Sequence, residues 1–122
     1  MYQHTNDLEQ RTLNFAIRVS TTLRQVKVTI FNKHIISQLL RSSSSIGANY
    51  HEARESESRN DFIHKLSIAK KEANETLYWL NIILHAEPSK TLELDKLRLE
   101  TQELLSIISA SIATSKKNAK LS

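Results

Sequence analysis

One glycine and one proline in 122 residues constrain this chain more than any motif it carries. Hairpin turns draw on Gly, Pro and Asn-Gly pairs, so a sequence with so little turn material is confined to helices joined by a few short connections. Apolar-polar alternation is scarce as well, and the expected class is all-α. A content of 39% hydrophobic and 25% charged residues suits a single domain able to bury a core without disulfides or metals.

The spacing predicts helix one over 7–24, with Leu8, Thr12, Phe15, Val19 and Leu23 recurring at three and four. Leu13, Ala16, Ile17 and Ser20 widen its apolar arc, and Arg11, Asn14 and Arg18 fall on the opposite face. After a connection near 25–29, helix two spans 30–55 with an inward stripe of Ile35, Leu39, Ser42, Ile46, Asn49 and Ala53. Ser58 followed by Asp61 reads as the N-cap and N3 of helix three, over 59–85, whose stripe is Phe62, Leu66, Ala69, Ala73, Leu77, Leu80 and Leu84. Pro88 ends it. Helix four covers 90–115 through Leu94, Leu97, Thr101, Leu104, Ile108, Ser111 and Ser115, and the basic tail 116–122 is expected to fray. Short connections make neighbours antiparallel, so the expected architecture is an up-down-up-down four-helix bundle.

The centre of helix two is thin. In SSSSIGANYHEA, Ser42 and Asn49 lie in the stripe beside Ile46, whereas Ser43 and Gly47 border it. Glycine in a helix interior costs about 1 kcal/mol relative to alanine. Close approach of a neighbouring backbone would offset that cost, and Ala69 and Ala73 of helix three are the expected partners. Asn49, pointing inward next to Glu52 in sequence register, is expected to find partners in Asp61, His64 or backbone groups near the corner of helices two and three, a buried polar network that fixes register.

Three ordered motifs, SIGANYHEA at 45–53, SRNDFIHKLSIA at 58–69 and KEANETLYWL at 71–80, resemble the signature of the four helix bundle proteins associated with 23S ribosomal RNA intervening sequences, also labelled S23 proteins. The Ser42–Ser45 run departs mildly from the Ser-Gly-Thr-Ser form common there. The resemblance implies the same bundle over nearly the whole chain and supplies no catalytic residues. It extends distantly to the accessory variability determinants of diversity-generating retroelements. Those form homopentameric barrels and bind nucleic acid together with a reverse transcriptase.

The chemistry-bearing patterns are weak by comparison. HEARE at 51–55 lacks the second histidine of a zinc-protease helix, and Asp61 with His64 is one short pair where a di-metal bundle needs two. Four serines on a hydrogen-bonded helix have neither base nor oxyanion site. With no cysteine there is no thiol nucleophile or thiolate-metal site. The expectation is a protein without enzymatic activity, metal or other cofactor. The opening MYQHTNDLEQ lacks a secretion-signal pattern and the apolar runs are far short of a membrane span, so a cytoplasmic protein with no membrane partner is expected.

The net charge of +4 permits phosphate contact. The candidate residues are Arg11, Arg18, Lys33, Arg41, Lys65, Lys70, Lys71, Lys116 and Lys117, with RNA the expected nucleic acid; the alternative is a scaffold for a protein encoded beside it. Self-association is the other expectation. On a helical wheel Ile68, Trp79 and Ile82 cluster roughly 200° to 260° from Phe62, away from the core stripe, which marks Trp79 as an interface anchor. Leu13 and Ile17 add to that surface, and Arg24 is placed to pair with Glu75 of a neighbouring copy. The number five follows only from the resemblance.

Overall fold

Few residues punctuate the helices, and the computed structural model, which describes residues 3–121, shows what each does. The elements are α1 (Gln3–Arg24), α2 (Lys33–Arg54), α3 (Arg59–Ala86), a single 3-10 turn (Pro88–Lys90) and α4 (Thr91–Leu121), with no strand among the described residues. Ser58 starts α3 by accepting a hydrogen bond at Oγ from the Asp61 amide, 3.1 Å away. Pro88 sits at the start of the 3-10 turn, where its missing N–H costs nothing.

Three helix boundaries differ clearly from the sequence expectation. Helix two begins at Lys33 because Asn32 and Thr29 fold 29–32 into a hydrogen-bonded turn. Helix four continues past 115: nothing after Pro88 is glycine or proline, and α4 runs on to Leu121. Helix one likewise starts earlier, at Gln3.

The four helices form an antiparallel up-down-up-down bundle in which α1 and α3 occupy opposite corners, each packed on α2 and α4. Phe15, Val19, Leu39, Ile46, Leu66, Leu80, Ile83, Leu94, Leu104 and Ile108 are fully buried along its axis. Each such side chain contributes about 1.5–3 kcal/mol of transfer free energy. Because every helix has two neighbours, its buried arc is wider than one seam. In α2 it turns toward Ile36 and Tyr50, leaving Ile35 and Asn49 half-buried, and in α3 toward Thr76 and Ile83.

The serine-glycine stretch is divided between two contacts. Ser42, fully buried, accepts at Oγ from Thr76 Oγ1 of α3 at 2.9 Å, a hydrogen bond across the helix pair. Gly47 faces α1 instead of α3: a Cβ there would stand 2.9 Å from Thr12 Oγ1 and 3.1 Å from Thr12 Cβ. The close approach that the glycine permits is therefore between α2 and α1, while Ala69 and Ala73 sit buried in the core. The other serines return their hydroxyls to their own helix, Ser43 and Ser44 to Leu40 O, Ser45 to Arg41 O. Asn49 does the same, donating to Ser45 O at 2.8 Å, so no buried polar network forms around it.

Candidate interaction surfaces

Among the nine basic candidates, three are neutralised within the chain. Arg11 grips Glu100 through two nitrogens at 2.7 and 2.8 Å and reaches Glu103 at 2.9 Å, which holds its guanidinium charged well above the usual arginine range. Arg41 binds Glu72 at 3.2 Å and also Glu75. Lys65 pairs with Glu52 at 2.8 Å, and that hydrogen bond raises its pKa. These pairs tie α1 to α4 and α2 to α3, a structural use of the charge.

Arg18, Lys33, Lys70, Lys71, Lys116 and Lys117 are exposed and make no ion pair among the described residues. They do not converge. Lys33 opens α2 at one end of the bundle, and Lys116 lies at the other, about 38 Å down the axis from the start of α4.

Trp79 is half-buried against the edge of the core. Its ring meets His34 of α2 edge-on at 5.4 Å, and its Nε1 donates to Glu75 at 3.2 Å. The wheel angle is as expected, but α2 approaches that side of α3, so the indole packs within its own chain and Ile68 and Ile82 are half-buried with it. Within the chain Glu75 is held by Arg41 and by Trp79 Nε1.

Leu13 and Ile17 stand out on α1, 53% and 54% exposed on successive turns. Beside them, Thr12, Ala16, Ser44, Gly47 and Ala48 floor a groove of about 750 Å³ between α1 and α2. The groove exists because small residues bring the two helices together. At its rim Glu9 of α1 bonds His51 Nδ1 at 2.6 Å and Arg54 at 2.5 Å on α2. The Glu9 hydrogen bond raises the His51 pKa, and the same bond lowers that of Glu9. His51 thus contributes stability that is complete below its ordinary 6.5 and is lost as pH rises through the raised folded value; Glu9 contributes above its ordinary 4.5 and loses it as pH falls. In Glu9→Gln, the His51 midpoint followed by NMR is expected to drop back toward 6.5; an unmoved midpoint would remove the pairing.

The sequence reading also missed the apex of the α1–α2 connection. Val28, Ile30 and Phe31 are 58%, 87% and 88% exposed. The spacing puts Ile30 and Phe31 in the first turn of helix two; the signal against it is Thr29 and Asn32, turn formers that flank the two most exposed of these residues. No group of three or more His, Asp or Glu that could hold a metal occurs among the described residues. Nor is any helix among them long and apolar enough to cross a membrane.

The model of the 23S rRNA-intervening sequence protein family matches residues 4–110, most of the bundle. The chain belongs to the 23S rRNA-intervening sequence protein family. A similar solved structure is a protein of unknown function from the S23 ribosomal protein family of Bacteroides thetaiotaomicron. It is 34% identical, with a TM-score of 0.75 over 86% of this chain and 97% of that one. No curated protein matches the chain. In this member of the 23S rRNA-intervening sequence family, SSSSIGANYHEA builds the packing between α2 and its two neighbours.

Proposed function

We propose that this chain is a non-enzymatic building block that works by self-association through the α1–α2 face. The observation that carries the reading is Leu13 and Ile17, more than half exposed on successive turns beside an apolar groove floored by Ala16, Gly47 and Ala48. Leu40 extends the same character on α2, at 40% exposure. An apolar centre rimmed by the Glu9, His51 and Arg54 charges has the composition of an interface between subunits. A closed ring of five is the stoichiometry that the sequence resemblance favours.

A second reading, phosphate contact with RNA, is supported by the unpaired Arg18, Lys33, Lys70, Lys71, Lys116 and Lys117. Repetition around a ring would multiply these dispersed charges, giving sequence-tolerant, salt-dependent affinity. A scaffold for a protein encoded nearby would use the same apolar face without the cations.

Light scattering tests the first reading. Wild type is expected at a multiple of its 14.0 kDa, and Leu13→Glu/Ile17→Glu at one chain. A monomeric wild type overturns self-association, and an unchanged mass in the variant removes this face as its interface.

A further inference from the structure

The α1–α2 connection carries three apolar side chains held away from the core by a hydrogen-bonded turn. Asn32, 1% exposed, accepts at Oδ1 from the Thr29 amide at 2.8 Å and donates from Nδ2 to Lys27 O at 2.9 Å and to Glu87 at 3.0 Å, fastening the turn to the end of α3. Thr29 Oγ1 accepts from the amides of Phe31 and Asn32, and Thr29 O accepts from the amide of Lys33. The turn therefore satisfies the amides of Thr29, Phe31, Asn32 and Lys33 internally while presenting Val28, Ile30 and Phe31 outward.

We propose that this apex is a peripheral docking site for an anionic lipid bilayer, with Val28, Ile30 and Phe31 entering the headgroup boundary and Arg24, Lys27 and Lys33 meeting the lipid phosphates. Three properties converge on that occupant. The turn is held by its own bonds, through the amides of Thr29, Phe31, Asn32 and Lys33, so it presents the tip without help from the surface, and entry only to the hydrated headgroup boundary leaves the remaining amides within reach of water. The ten residues 24–33 carry Arg24, Lys27 and Lys33 and no acidic residue, the charge that an anionic surface attracts. The tip puts two aliphatic side chains, Val28 and Ile30, beside the exposed ring of Phe31, the kinds of side chain that settle at the boundary between headgroups and acyl chains. The run is far too short to span a bilayer; lying at its surface requires only the tip.

Cosedimentation with vesicles of phosphatidylglycerol and phosphatidylcholine tests this against vesicles of phosphatidylcholine alone. Wild type is expected to pellet with the anionic vesicles and not the neutral ones, and Ile30→Ser/Phe31→Ser to partition at least about ten-fold more weakly. The variant leaves Thr29 and Asn32 in place, and an unchanged helical circular dichroism spectrum checks its fold. Lys27→Gln/Lys33→Gln is expected to weaken binding and blunt its salt dependence. Failure of wild type to pellet, or equal partition of the serine variant, overturns the proposal. A serine variant that instead loses oligomer mass, or loses affinity for a single-stranded RNA probe that wild type retains, would assign the apex to a second copy or to RNA and overturn it equally.

Discussion

A Gly47→Val variant is expected to lose about 3 kcal/mol of stability, the upper range for forcing extra atoms into a packed interior. The expectation runs against helix propensity, which alone would reward replacing a helical glycine with alanine by about 1 kcal/mol. What opposes it is Thr12. Its Oγ1 and Cβ lie 2.9 and 3.1 Å from where the new Cβ would be, and a β-branched side chain that is 1% exposed would have to give up its bond to Glu9 O, or shift its backbone, to make room. The helix pair must separate, opening the α1–α2 seam. Even Gly47→Ala should be destabilising, and combining it with Thr12→Ala should cost at least about 0.5 kcal/mol less than the sum of the single changes. Urea denaturation of the four proteins measures this, and a stabilised Gly47→Ala or simple additivity would show that the seam yields.

Asn32→Asp is expected to cost about 3 kcal/mol at neutral pH, more than the roughly 2 kcal/mol expected of Asn32→Ala. The amide is used in both senses: its oxygen accepts from Thr29 N, and its nitrogen donates to Lys27 O and to the Glu87 carboxylate. Aspartate keeps the acceptor but turns a second oxygen toward a carbonyl and another carboxylate, in a position that is 1% exposed. Repulsion there raises the folded-state pKa of the carboxyl pair, so the folded form binds protons more readily than the unfolded one. The deficit should therefore narrow as pH falls toward the ordinary aspartate range near 4. A variant as stable as wild type at pH 7 would mean that Asn32 does not hold the turn.

These two side chains also mark where reading the sequence stops. The helices are legible because their periodicity is local: Leu8, Phe15, Val19 and Leu23 share one side of a 3.6-residue helix whatever packs on it. Helix count, antiparallel order and the Ser58 start of α3 come from spacing, from one proline and from one cap. The family is legible too, in three ordered motifs along α2 and α3.

Which neighbour each face meets is not local, and only the tertiary structure decides it. Gly47 meets α1 and not α3, Asn49 turns back on its own helix, and Trp79 packs under the approach of α2. The same holds for charge. Arg11, Arg41 and Lys65 look like surface cations until Glu100, Glu72 and Glu52, 13 to 89 residues away along the chain, are brought to them. Sequence determines the stripe that a helix must bury; the angle at which two stripes meet, and so which flanking residues are covered, paired or left in water, depends on all four helices at once.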